Sequence, residues 1–223
     1  MIAIKKVAAS ALCACAGVIF YAPSAWALLP IQHWTEPNGA KVWLLESPVI
    51  PTVDVEGDFD GDSRRDPAEK SGLASAVALM ASKGVKGGKE GQGAEPALDE
   101  NALGEAWADL GAGFEAGADN DALRYSLRSL TDAPLLDRAA RLAARQMAEP
   151  SWPADIWARD RARWSASLRE AATRPSTVAG EAFNAAVYGS HPYGQRTTPE
   201  TLARISVDDM QRFHAQTVAA CRA

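Results

Sequence analysis

Residues 123–128 read Leu-Arg-Tyr-Ser-Leu-Arg, a strict alternation that suits a strand with one dry face and one wet face. A dry sheet face has to be covered, and the cover is written on both sides of this run with a different period. Upstream, Leu73, Val77 and Met80 fall at i, i+4, i+7, and so do Leu103, Trp107 and Leu110; each trio makes one apolar stripe on a helix. Asp99 is placed to cap the second of these helices, and Gly111 and Gly113 to end it. Downstream of Asp132 the pattern is helical throughout, over about 134–148, 153–172, 176–188 and 206–218, with Pro150, Pro175 and Pro192 between the segments. Residues 33–60 read as two further strands around the Asn38-Gly39 turn, broken by Pro48 and Pro51. Asp66-Pro67 reads as the opening of the first helix. Gly84, Gly87, Gly88, Gly91 and Gly93 read as a flexible surface loop. The order β-β-α-α-β-β followed by helices predicts an α+β domain, an antiparallel sheet packed against helices.

The first 27 residues stand apart. Lys5 and Lys6 precede a run of small and apolar residues over 7–20, and Ala25-Trp26-Ala27 follows with small side chains at the two positions that a signal peptidase reads. This is the pattern of a secretory signal peptide cleaved after Ala27. The apolar run is shorter than the ~20 residues of a spanning helix, which argues against a retained anchor. Cys15 is a poor match to a lipoprotein cleavage box. The reading gives a signal peptide over 1–27, a single mature domain over 28–223, a periplasmic location and no membrane association after cleavage. Losing two lysines takes the net charge from −5 to −7, which argues against a nucleic-acid partner. Cys13 and Cys15 leave with the leader, so the mature chain keeps Cys221 alone. It has no internal disulfide and no cysteine-based metal site.

Motifs for other chemistries are missing. His33, His191 and His214 are far apart in sequence, and none sits in H-x-x-H or H-E-x-x-H. Gly88-Lys89 is followed by Glu90, where a phosphate loop needs Ser or Thr. No G-x-S-x-G elbow occurs. The arginines at 159, 161, 163, 169 and 174 read as a solvated helix face, and the tryptophans as core or interface anchors.

The order of several short segments nevertheless resembles the pitrilysin or insulinase family of metallopeptidases. The segments are Asn38-Gly39, Asp66-Pro67-Ala68-Glu69-Lys70-Ser71-Gly72-Leu73-Ala74, Leu110-Gly111-Ala112 with Phe114, His191-Pro192-Tyr193-Gly194, and Ile205 to Met210 with Phe213-His214. Peptidases of this family carry an inverted zinc motif, H-x-x-E-H, in which the histidines bind zinc and the glutamate activates the metal-bound water. The resemblance places the first histidine at Ser75, the glutamate at Ala78 and the second histidine at Leu79, with Lys83-Gly84 in register beyond. Alanine and leucine neither ligate a metal nor move a proton. The family's further ligand, on a helix after a P-x-aromatic turn, would fall at Asp160 beyond Pro150-Ser151-Trp152, and a later acid at Ser167. Asp160 interrupts the apolar stripe Trp157, Trp164, Leu168. It reads either as a relic ligand or as a buried anion paired with Arg163 or Arg161. His191 and Tyr193 are further candidates by association, with His191 also read as shaping a loop at a helix end.

The resemblance implies an exported, non-catalytic subunit that holds no cofactor of its own, zinc residing only in a catalytic partner. Such a subunit would pair with an active zinc peptidase, or self-associate, and help to enclose peptide substrates. Two other readings stay open: a truncated relic domain with a structural or peptide-binding role, and an active metallopeptidase with an unrecognised site. Family chains resemble two tandem copies of such a domain, and the expectation is that this chain corresponds to the first.

Overall fold

The computed structural model describes residues 30–88 and 95–223. The segment over 1–27 that reads as a signal peptide and most of the glycine-rich segment lie outside the described residues. Two units are distinguished. The first, in its described part, consists of residues 30–34 and 43–47, the arms of a two-stranded ribbon formed by β1 (Ile31–Thr35) and β2 (Lys41–Leu45). Gln32 donates to Glu46 across it, and Ile31, Trp34, Trp43 and Leu45 are exposed. The second unit comprises residues 35–42 and 48–223.

In the second unit the period-2 segments form one antiparallel sheet. β3 (Thr52–Phe59) pairs with β7 (Leu123–Leu130), and β7 pairs on its other side with β6 (Gly113–Ala118). The register runs from Thr52 opposite Leu130 to Phe59 opposite Leu123, and from Gly113 opposite Arg128 to Ala118 opposite Leu123. Leu123, Tyr125, Leu127 and Ser129 are buried on one face. The other face carries cross-strand ion pairs, Arg128 with Asp54 and Arg124 with Glu56 and Asp58. The β6–β7 turn is closed by Asp119, whose carboxylate accepts from the amides of Asp121 and Ala122. The region before the first helix holds three strands, not two. Pro48 and Pro51 punctuate the chain between β2 and β3, so the segment after them is a strand in its own right, and it belongs to the sheet rather than to the ribbon.

The helices of the described residues follow, the first three of them packed against the sheet. They are α1 (Leu73–Ala81), α2 (Glu100–Leu110), α3 (Ala133–Ala148), α4 (Ala154–Ala171), α5 (Pro175–Tyr188), α6 (Pro199–Ala203) and α7 (Val207–Thr217). Helix α1 buries seven of its nine residues: Leu73, Ala74, Ala76, Val77, Ala78, Met80 and Ala81. It begins at Leu73 rather than at Asp66-Pro67, because two short 3-10 turns, Ser63–Arg65 and Ala68–Lys70, intervene. Asp66 still governs its start: the carboxylate accepts from the amides of Gly72 (2.8 Å) and Ala74 (2.9 Å). Those two are among the orphan donors of a first turn. Gly72 takes φ 103° here, a left-handed conformation that favours glycine. Helix α2 starts, as read, at Asp99, which accepts from Asn101 and Ala102. Its Trp107 donates Nε1–H to Gln146 of α3 (2.9 Å), and Gln146 in turn donates to the carbonyl of Ala81 (2.9 Å). That chain of bonds satisfies a buried amide and ties α1, α2 and α3 together. Gly84 is not in a surface loop. It is buried in β4 (Gly84–Val85), paired with β5 (Leu98–Asp99), where an added Cβ would lie 2.6 Å from the carbonyl of Leu98.

Candidate functional site

Helices α1 and α4 bound a cleft of about 500 Å3, lined by Ser75, Leu79, Asp160, Arg163, Trp164 and Ser167. Ser75 and Leu79 sit one turn apart on α1, and Asp160 and Ser167 two turns apart on α4, so helical spacing alone brings each pair to one wall. Four of the five positions singled out for metal chemistry thus meet at one place. The fifth, Ala78, is buried in the core on α1. The walls are chiefly apolar, from Leu79 and the half-buried Trp164.

Asp160 is the one carboxylate in the cleft lining, and it is fully engaged. It is 8% exposed. Arg159 grips it with two donors, Nε to Oδ1 at 2.6 Å and Nη2 to Oδ2 at 3.1 Å. Lys83 Nζ lies 3.4 Å from Oδ2. Arg163 stands at 3.7 Å with an exposed side chain, and Arg161 lies instead over the Trp157 ring, 5.9 Å from its centroid. The anion reading of Asp160 holds, with Arg163 as one of its partners and Arg161 not among them; Arg159 and Lys83, which the reading did not name, also hold the carboxylate. Glu100, at the start of α2, closes the network by accepting from Lys83 (2.6 Å) and Arg159 (2.9 Å). Two cations bridge two carboxylates. The Arg159 guanidinium holds the Asp160 carboxyl below the usual carboxylate range against the opposing effect of burial, and Lys83 does the same for Glu100. Nothing in the sequence points to Lys83 and Glu100, because they lie 77 and 60 positions from Asp160. Arg159 is adjacent but indistinguishable from its neighbouring arginines.

The residues at the cleft do not fit a zinc ion. Zinc sites draw at least three ligands from imidazole, thiolate and carboxylate groups. Among the described residues no three His, Cys, Asp or Glu side chains converge, and here the one carboxylate is already neutralised by two cations. Among the described residues, no base is hydrogen-bonded to the hydroxyl of Ser75 or Ser167.

The histidines are elsewhere. His33 lies on β1. His191 caps the 3-10 turn Pro192–Gly194, accepting from the amide of Tyr193 at Nδ1 (3.2 Å), as read for a loop at a helix end. The Tyr193 hydroxyl donates to Asp121 in the β6–β7 turn. His191 and Tyr193 do not line the cleft. His214, on α7, is buried edge-on against Trp152 at 5.4 Å, and Cys221 is exposed.

Comparisons with known proteins agree on the class. No family model matches the sequence, and no curated protein matches it. Solved structures do. The chain is similar to a peptidase M16 inactive domain from Pseudomonas fluorescens, with 28% identity and a TM-score of 0.76 over 84% of this chain and 43% of that one. A protease from Helicobacter pylori superposes with a TM-score of 0.73 at 19% identity, over 87% and 45% of the two chains. Pitrilysin superposes at 0.68 with 21% identity, over 89% of this chain and 21% of its own. The α+β fold, an antiparallel sheet under helices, is shared with these three structures. Its likeness to the M16 inactive domain, at 28% identity, supports a pitrilysin-like domain of that type. It spans less than half the length of each of these structures.

Proposed function

We propose that the protein is an exported, non-catalytic partner of an active pitrilysin-like zinc peptidase and that it helps to enclose peptide substrates. The observation that carries this reading is the α1–α4 cleft. It gathers Ser75, Leu79, Asp160 and Ser167 at the positions the resemblance assigns to metal chemistry, and supplies no set of metal donors there. In this reading the H-x-x-E-H motif has been lost and the scaffold kept. Two surfaces support a role in assembly and enclosure. Helix α5 buries none of its residues, and Val178, Phe183 and Val187 stand exposed on it; apolar surface of that kind marks an interaction face. Strand β6 leaves one edge unpaired among the described strands, next to α1, and an extended peptide can hydrogen-bond along such an edge.

The test is purification of the mature chain with and without a full-length pitrilysin-like chain bearing H-x-x-E-H. The proposal expects an N-terminus at Leu28, no stoichiometric zinc, no chelator-sensitive cleavage by this chain alone, and a complex with the active chain. A chain that stays monomeric at micromolar concentration and captures no active homologue would instead support the relic domain. About one zinc per chain together with peptidase activity would overturn both readings.

A further inference from the structure

The connection between α3 and α4 depends on one strained residue and one orphaned ring nitrogen. Trp152 has φ 55°, a left-handed conformation that a side chain of this bulk avoids and that the following Pro153 disfavours further. The residue is buried, so packing rather than backbone preference keeps it there. Part of that packing is His214 of α7, whose ring meets the Trp152 ring at 5.4 Å. His214 Nε2 is buried without a hydrogen-bond partner, while the ring also bonds to the backbone of Met147 near the end of α3. The described residues already enclose this nitrogen, so no further length of polypeptide reaches it unless the Trp152 turn moves. On its other side the connection is fastened to β4. The Lys86 amide donates to the carbonyl of Glu149 (2.9 Å), the Ser151 amide to the carbonyl of Gly84 (3.0 Å), and Val85 bridges to Pro150. Among the surrounding charges, Lys86 acts on the ring, and it adds to the effect of burial in holding the His214 pKa below the ordinary 6.5. Arg145, on the last turn of α3, is taken up by Glu95 and by the carbonyls of Lys86 and Pro96, and Glu149 lies on the connection itself. Helix α1, packed on α7, has no titratable residue. On α7, Asp209 is paired with Lys70 and Arg212, and Asp208 lies in the first turn.

We propose that His214 is an acid-sensitive latch: a proton taken from solvent at Nε2 unseats Trp152 and detaches the α3–α4 connection from β4. The neutral ring leaves only an unused acceptor at Nε2. The imidazolium puts an N–H donor there with no acceptor, in a dry site beside a like charge. Swinging into solvent satisfies that donor. Trp152 then loses a neighbour and relaxes to the extended backbone that favours a residue before proline. The closed state is therefore favoured above about pH 6.5, the pKa of a solvated imidazole, and is lost as pH falls toward the lower value of the closed state. Gly84 directly follows Lys83, so release of β4 also loosens the cation that holds Asp160 at the α1–α4 cleft. The latch does not depend on the enclosure reading, and it acts within the domain itself.

The experiment is amide hydrogen exchange on the whole mature chain at pH 7.5 and pH 5.0, corrected for the intrinsic pH dependence of exchange. The reporting amides are those of Lys86 and Ser151, which bond across the latch, and that of Lys83, which donates to the carbonyl of Met80 (3.1 Å). On acidification these three should lose protection by at least about tenfold, while the amides of Leu123–Leu130 on β7 keep theirs. His214→Phe fills the site with a ring that takes no proton, and it should hold its protection at pH 5.0. His214→Gln keeps a donor for the Met147 carbonyl without titrating, and it carries the same test if phenylalanine does not pack. Lys86→Met removes the like charge and should lessen the loss. Equal protection at both pH values in the parent overturns the proposal. So does an equal loss in the variants at position 214, or a loss spread evenly over β7, which would mark global acid unfolding instead of a latch.

Discussion

Helices α1 and α5 look much alike on paper and behave as opposites in the fold. Both are rich in alanine and valine, and α5 adds Phe183 and Tyr188. Yet α1 buries seven of nine residues and α5 buries none of fourteen. The contrast teaches that apolar composition selects the helix but not what covers it. α1 is anchored from several directions: Asp66 holds its first turn, Gln146 holds the carbonyl of Ala81, and the inner sheet face lies beneath it. α5 is fastened by the Glu181–Arg196 pair (2.5 Å) at its middle and, at its end, by Tyr188 against His191 and Tyr193. One helix is a keystone of this domain; the other reads as a surface for something else.

The sharpest way to break the comparison is to put the same charge on both helices. Val77 is fully buried on α1, and Val77→Asp there should cost more than about 4 kcal/mol, the scale for an unpaired buried charge, leaving the chain unfolded or insoluble. Val187→Asp on α5, where the side chain is 55% exposed, should leave the urea midpoint nearly unchanged. Similar losses from the two substitutions would show that α5 is covered in solution by part of this same chain.

A smaller effect tests how α1 is anchored. Asp66→Ala removes the acceptor of two first-turn amides and should cost about 1–2 kcal/mol, the range for a lost cap. The carboxyl also titrates usefully. Burial pushes the Asp66 pKa up to about 6, partly opposed by the amides it accepts from. A carboxyl raised in the folded state binds its proton more tightly there than in the unfolded chain. Its contribution is therefore fully present below about pH 4, the unfolded pKa, and is lost as pH rises through about 6. His214 works in the opposite sense. Burial lowers its pKa from the ordinary 6.5, against one hydrogen bond to the backbone of Met147 and with Lys86 adding to the depression. Its neutral ring stabilises the fold above about pH 6.5, and that stability is lost as pH falls through the lower folded value. Urea midpoints between pH 4.5 and 7 should thus fall more steeply on acidification in Asp66→Asn than in the parent, and less steeply in His214→Phe. Superimposable pH profiles would refute both assignments.

How much of this was legible in the sequence depends on whether a feature is local. The alternation at 123–128, the stripes on α1 and α2 and the Asp99 cap rest on side chains within a few positions of one another, and each is found as read. Asp66 was legible as a helix-start residue, but not its reach of eight residues to the amide of Ala74, because the intervening 3-10 turns carry no distinctive pattern. Gly84 was misread because glycine crowding suggests a loop. The reason for this glycine is the nearby carbonyl of Leu98, which is invisible without the β4–β5 pairing. The same limit separates the cleft from its charges. Helical periodicity within α1 and within α4 set out its walls, whereas the distant members of the Asp160 network, Lys83 and Glu100, come from the approach to β4 and from the start of α2. The exposure of α5 had no sequence sign at all, because periodicity reports a stripe only where polar residues interrupt it.

The smallest effect on folding should carry the largest information about assembly. Phe183 is 66% exposed on α5, so Phe183→Ser removes little buried area and should change folding stability by no more than about 0.5 kcal/mol, as for surface substitutions in general. The same change removes the bulkiest apolar side chain from a helix none of whose residues is buried. If α5 is an assembly face, sedimentation at micromolar concentration should show Phe183→Ser shifted toward monomer, with less binding of a hydrophobic dye, while the urea midpoint stays in place. A shift in midpoint without a shift in sedimentation would put α5 inside the folding unit and take away its role as an interface. An unchanged result in both would move the assembly surface to other exposed apolar residues, for which Val178→Ser on the same helix and Trp43→Ser on the β1–β2 ribbon are the next substitutions to sediment.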